Sequence, residues 1–219
     1  MSTPQPLGNK RLRVVVAGAG WISSFHLTGW AQMSNVELAA ICDTDLDRAR
    51  EKAKTFQIDR AYTEFERMLD REKPDAVDIL TPVGTHAVLT RKAAARGVHV
   101  MCQKPMVPTV AEAEALLKAV GTRIRFMVHE NFRFRPHYLV VRDWLEAGRI
   151  GEIRSARLSV RSSGLLPRGA EPPVILERQP YLAAFPRLLI FEALIHHLDV
   201  LRCLLGELRV VSTVLARVN

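Results

Sequence analysis

The chain has 219 residues, 48% hydrophobic and 25% charged, which excludes a disordered or collagen-like polymer and allows one full core plus a remainder. Its formal charge of +8 comes from 31 basic and 23 acidic residues. The basic residues are spread, with a mild excess from Arg123 to Arg178, no run of five Lys/Arg and no nucleic-acid motif. A solvated surface and no nucleic-acid partner are expected, while attraction of an anionic ligand stays open. No apolar run approaches the ~18 residues of a membrane span; Leu188–Ile195 is broken by Glu192. No membrane partner is expected. Met1–Lys10 has two prolines and no apolar stretch, so it is expected as a frayed tail rather than a secretory leader. Cys42, Cys102 and Cys203 cannot all pair and lie far apart, which points to a reducing, cytoplasmic setting.

From Leu12 onward, short β-branched runs alternate with helical patterns. Strands are predicted at Leu12–Ala17, Val36–Ile41, Ala76–Leu80, Val98–Met101 and Ile124–Val128. Helices are predicted near Trp21–Met33, Asp45–Thr55, Thr63–Asp70, Thr85–Arg96 and Thr109–Val120. Thr63 and Thr109 suit N-caps, and Glu66 stands three residues after Thr63 as a capping box requires. Interleaved in this way, the segments predict βαβ units around a parallel sheet buried on both faces. The rhythm changes after about Gly121. A helix is predicted at Pro136–Ala147, closed by Gly148, then a strand at Ile153–Val160. A polar, proline-rich loop follows at Ser162–Pro180, then a helix from Arg187 to Leu205 ending at Gly206, and a strand within Leu208–Val218. The expected division is a tail at 1–10, a doubly wound domain at 11–129 and an incomplete α/β domain at 130–219.

Four segments have the residue types of a chemical site. Gly18-Ala19-Gly20-Trp21-Ile22-Ser23 follows a strand and opens a helix. Gly18 permits a tight turn, and Gly20 lets a pyrophosphate approach the backbone at the positive helix end. Asp43 closes the next strand, where it can accept from ribose hydroxyls and repel a 2′-phosphate, favouring NAD over NADP. Thr81-Pro82-Val83-Gly84-Thr85-His86 follows the Ala76–Leu80 strand. It is read as a cofactor wall, with His86 otherwise an exposed turn histidine. Cys102-Gln103-Lys104-Pro105 ends another strand; Lys104 there can donate to a substrate oxygen, or simply occupy a solvated turn. Glu192, His196 and Asp199 are spaced i, i+4 and i, i+7 on a predicted helix, sharing one face. A carboxylate beside an imidazole fixes its tautomer and strengthens it as a base. A core histidine or a three-ligand metal site fits the same spacing, and His197 points elsewhere.

Together these segments, with Asn131-Phe132-Arg133-Phe134-Arg135-Pro136, resemble the Gfo/Idh/MocA oxidoreductases in motif order from Leu12 onward. Gly18-Ala-Gly-Trp-Ile…His26 is similar to the family's opening, Ile41-Cys-Asp43 to its second strand end, and Thr81-Pro82…His86 to its Thr-Pro loop. Gln103-Lys104-Pro105 is similar to its Glu-Lys-Pro motif, and Glu192…His196…Asp199 to its Asp-x3-His-x2-Asp signature. The resemblance implies a Rossmann domain followed by an α/β domain on a large open sheet. It implies hydride transfer between NAD, ahead of NADP, and a sugar, polyol or related hydroxy compound. Lys104 would polarise the reacting hydroxyl, His196 would be the base, and Glu192 its orienting carboxylate. The cofactor would meet Gly18, Gly20, Trp21, Ile22, Asp43, Thr81, Pro82, His86, Gln103, Lys104 and Arg133. The substrate would meet Lys104, Asn131, His196 and Asp199, with no metal.

Three departures stand out. Gln103 replaces Glu, Glu192 replaces Asp, and the second domain is shorter than the resemblance implies, so a C-terminally truncated chain is expected. A homo-oligomer is expected if that sheet is completed, and an exposed edge at Leu208–Val218 otherwise. The competing readings are a nucleotide-binding sensor or scaffold without catalysis, and a non-redox NAD-dependent glycosidase.

Overall fold

The structure, a computed structural model, describes residues 11–161, 166, 169, 171–184 and 188–214. The tail expected at Met1–Lys10, part of the Ser162–Pro180 loop, Arg187 and residues 215–219 lie outside the described residues. The chain parts into two compact units between His129 and Glu130.

The N-terminal unit holds six parallel strands: β1 (Leu12–Ala17), β2 (Val36–Cys42), β3 (Arg60–Tyr62), β4 (Ala76–Ile79), β5 (His99–Gln103) and β6 (Phe126–His129). Helices α1 (Ser23–Ala31), α2 (Leu46–Thr55), α3 (Phe65–Glu72), α4 (Val83–Ala95) and α5 (Val110–Val120) connect them. The order β3-β2-β1-β4-β5-β6 reverses direction between β1 and β4, the place where doubly wound sheets bind ligands. The alternation along β1 shows why the sheet is covered on both faces. Val15 and Ala17 pack with Met68, Leu69, Ala93 and Leu116 from α3, α4 and α5. Val16 points the other way and packs with Leu27, Ala49 and Ala53 from α1 and α2.

Two details differ from expectation. The short strand β3 has only three residues and no apolar run to announce it. Helix α3 is capped at Glu64 without a side-chain bond, not at Thr63. Thr109 does form a capping box with Glu112 at the start of α5.

The C-terminal unit contains a 3-10 turn (Phe132–Phe134), α6 (Pro136–Glu146), the short α7 (Val174–Arg178) and a second 3-10 turn (Pro180–Ala184). A π-helical stretch, Leu189–Leu194, runs directly into α8 (Ile195–Leu205). The strand predicted at Ile153–Val160 does not form, and residues 208–214 form none either. A strand needs a neighbouring backbone to bond. The described residues of this unit provide none, and Val211 and Val214 are 85% and 89% exposed.

Candidate functional site

The glycine turn is built by the crossing of three strand ends. Gly18 donates its N–H to the Cys42 carbonyl at 2.7 Å and adopts φ +103°. A Cβ there would lie 2.8 Å from the Leu80 carbonyl carbon, so both conformation and packing demand glycine. Gly20 differs: its φ is not positive, and a Cβ there would meet nothing within 4 Å. Nothing in the protein's own packing requires glycine at 20, whereas close approach of a phosphate to the backbone does. Helix α1 opens there with no side-chain cap and no acidic residue in its first turn, the kind of helix start that suits an anion. Ser23 is buried and turns its hydroxyl back to the Gly20 carbonyl at 2.6 Å.

Asp43 stands beside this turn. Its Oδ2 accepts from the Ala19 amide at 2.8 Å, and its Oδ1 from the Asp45 amide at 3.0 Å. Arg48 approaches the same carboxylate at 3.3 Å, a neighbour the sequence did not single out. These residues fit a dinucleotide: open backbone for the pyrophosphate and a carboxylate with remaining acceptor capacity for ribose hydroxyls. Trp21 is exposed and meets Phe25 edge-on at 4.9 Å, while Ile22 packs against the α1–α2 core.

The Thr81–His86 segment forms the next strand end, and here one expectation is corrected. Helix α4 begins at Val83 rather than Thr85. Thr85 bonds the Pro82 carbonyl at 2.8 Å and the Thr81 hydroxyl at 2.6 Å. His86, expected exposed or on the cofactor wall, is 1% exposed. Its Nε2 lies 2.7 Å from the Thr81 carbonyl and its Nδ1 2.9 Å from the Pro105 carbonyl. It joins the turn after β4 to the turn after β5. At the end of β5, the Gln103 side-chain oxygen accepts from the Lys104 amide at 2.7 Å, and the Lys104–Pro105 bond is cis.

Within the C-terminal unit the expected triad is rearranged. His196 Nδ1 meets the Glu130 carboxylate at 2.7 and 2.8 Å, so Glu130 takes the orienting position expected of Glu192. Glu192 falls in the π-helical stretch, where i→i+5 bonding changes which side chains share a face. The Phe132 ring stacks on His196 at 4.0 Å and 5°, with the Arg135 guanidinium 3.4 Å from the Phe132 centroid. Asp199 is bound to Arg133, whose Nε donates at 2.7 Å, so neither is directed at His196. Asn131 is exposed beside them. His197 bonds the Ala193 carbonyl at 2.8 Å. Sequence reasoning missed Glu130, although it immediately precedes the Asn131–Pro136 motif.

Thiol chemistry does not fit the site. Burial pushes the Cys42 and Cys102 thiols up to about 12, so both stay protonated near neutrality. Among the described residues no cluster of His, Cys, Asp or Glu is placed to hold a metal ion. Nor is any described helix long and apolar enough to cross a membrane.

Comparison with known proteins agrees with this geometry. A D-apiose dehydrogenase from Paraburkholderia graminis is 36% identical over 211 residues, covering 96% of this chain and 54% of the relative. Inositol 2-dehydrogenase 4 from Saccharopolyspora erythraea is 29% identical over 204 residues, covering 92% and 56%. An Agrobacterium radiobacter oxidoreductase, solved with NAD+, L-tartaric acid and magnesium, superposes with a TM-score of 0.82 at 33% identity, covering 90% and 55%. The chain thus spans about half the length of the relatives it matches. The model of the Gfo/Idh/MocA oxidoreductase family, described by its NAD-binding Rossmann fold, matches residues 12–130, and the chain belongs to that family.

Proposed function

We propose that this chain binds NAD(H) and serves hydride transfer between the nicotinamide and the hydroxyl-bearing carbon of a sugar, polyol or related hydroxy compound. The observation that supports this most is the open backbone at Gly20 at an uncapped helix start, with Asp43 beside it. The relatives named D-apiose and inositol dehydrogenases supply the substrate class. When bound, the nicotinamide supplies the hydride acceptor or donor. Gly18, Gly20 and the first turn of α1 would hold the pyrophosphate, and Asp43 the adenosine ribose. Thr81, Pro82 and Gln103 would line the cofactor. Lys104 donates to the reacting oxygen.

His196 takes the hydroxyl proton on Nε2. Glu130 accepts the Nδ1–H and fixes that tautomer, while the Phe132 stack holds the ring plane. Asn131 contributes to the substrate surface, and Arg133 with Asp199 braces the segment carrying Phe132. Absorbance at the NADH band, followed with a panel of sugars and polyols, tests the reading. Lys104→Ala and His196→Ala should each lower turnover by about 10² or more, with NADH affinity nearly intact. The double variant tests whether the two residues serve one step: a loss smaller than the sum is the expected result, and a loss equal to the sum would assign them to separate steps. NADH binding without turnover on any member of the panel would favour the sensor reading instead.

A further inference from the structure

His26 and Asp78 have no part in the function proposed above, yet both are buried at the C-terminal edge of the sheet. Asp78 is fully buried on β4. The alternation there directs Val77 and Ile79 into the core beneath α3, α4 and α5, and Asp78 toward α1. Its Oδ2 accepts from Trp30 Nε1 at 2.8 Å and meets His26 Nδ1 at 2.8 Å. Its Oδ1 has no partner among the described residues. On its other side, His26 Nε2 meets Gln103 Nε2 at 3.4 Å. The His26 ring lies 4.2 Å from that of His129, the register partner of Gln103.

The direction of each bond follows from the donor inventory. Trp30 can only donate, which fixes Asp78 Oδ2 as an acceptor. His26 therefore donates from Nδ1, and a ring carrying only that proton offers Nε2 as an acceptor. Only the amide nitrogen of Gln103 can fill that acceptor, which turns the Gln103 oxygen toward the Lys104 N–H, where it is found at 2.7 Å. A glutamate at 103 has no such proton. Ionised, it would bond His26 only across a ring that also carries a proton on Nε2.

We propose that His26 is a positioning residue. Its Nδ1–H tautomer, set by Asp78 and Trp30, orients the Gln103 amide and through it the backbone at Lys104. The relay ties α1, which opens on the dinucleotide turn, to the strand end bearing Lys104. Its relevance to catalysis rests on the reading of Lys104 above, but the relay itself is read without turnover.

The test is long-range proton–nitrogen correlation on the 219-residue chain labelled at its histidines, with backbone amides assigned. In the wild type, His26 should show a protonated Nδ1 and an unprotonated Nε2. In Gln103→Glu, at a half-buried position, the same ring should gain a proton on Nε2. In His26→Ala, the Lys104 amide resonance should move as the Gln103 side chain loses its orientation. An Nε2–H tautomer in the wild type would overturn the proposal. So would a His26 spectrum unchanged by Gln103→Glu. If His26→Ala does not fold, Gln103→Glu decides alone. Failure of the dehydrogenase reading would appear separately, as absent turnover with the tautomer pattern intact.

Discussion

Asp43 illustrates how one side chain can serve both the resting turn and a ligand. Its carboxylate holds the Ala19 amide of the glycine turn and faces Arg48 at 3.3 Å. A 2′-phosphate would meet this negative charge, while Arg48 is engaged with it. Asp43→Ser removes the repulsion and frees Arg48, so the preference for NADH over NADPH should narrow by roughly tenfold, equivalent to ~1.4 kcal/mol. Fluorescence titration with both nucleotides reads this, and an unchanged ratio would refute it. His86 makes a prediction of a different kind. Burial lowers its pKa, against hydrogen bonds to the Thr81, Pro105 and Met106 backbone that raise it. The fold therefore prefers the neutral ring, which can donate to only one of the two carbonyls it faces. The unfolded chain binds the proton more readily, so this stabilisation is present above the ordinary histidine value of 6.5 and is lost as pH falls below it. Denaturant midpoints measured from about pH 5 to pH 8 should fall toward acid, with a shallower slope in His86→Gln. Parallel slopes would remove His86 from the account.

At the scale of elements, the N-terminal strand edge has a stability device opposite the ligand side. Glu72, at the end of α3, is fully buried and receives bonds from Arg13 on β1, Arg60 on β3 at 2.6 Å and Tyr62. Burial alone would raise its pKa, yet the bonds from Arg60, Tyr62 and Arg13 hold it below the usual carboxylate range. Glu72→Gln should cost about 2–4 kcal/mol, because it leaves cations without their partner. The wild-type advantage should vanish as pH falls through the lowered carboxylate value. A cost under about 0.5 kcal/mol, the usual surface figure, would show the cluster to be incidental. Local patterns of this sort were only partly legible. Thr109 and Glu112 form the capping box that their spacing implies, whereas Thr63 and Glu66 share that spacing without forming one. Glu66 instead meets Lys92 of α4 at 2.5 Å, and α3 starts at Phe65, directing Met68 and Leu69 into the core. Tertiary pairing won over the local signal. The site shows the same limit: Gly18, Gly20 and Asp43 lie near one another in sequence and were readable. Glu130 reaches His196 across 66 positions, and nothing in the sequence announces a π-helical turn at Glu192.

For the whole molecule, the two units differ in how far their apolar surface is covered. In the N-terminal unit, β-branched runs spaced by helical patterns led directly to the parallel sheet, because a strand buried on both faces must be apolar throughout. Ile153–Val160 and Leu208–Val218 carry similar β-branched residues, but pattern cannot supply a pairing partner. The described parts of both remain without strand structure, and Ile153, Val160, Val210, Val211 and Val214 are exposed. Among the described residues no ladder holds the backbone amides of these segments, so they are expected to open at little free-energy cost. In β1 every buried residue from Val14 to Ala17 lies between two neighbouring strands, and its amides exchange only when the sheet itself opens. Hydrogen exchange on the full chain should therefore separate the two classes by orders of magnitude. Leu12–Ala17 and His99–Gln103 should be protected to near the global stability of their unit, while residues 153–160 and 208–214 should exchange within the shortest labelling time. Protection of residues 208–214 comparable to that of Leu12–Ala17, in a sample dilute enough to be monomeric, would mean that this segment has a strand partner. In a sample that associates, protection growing with concentration would identify the partner as a second copy of the chain.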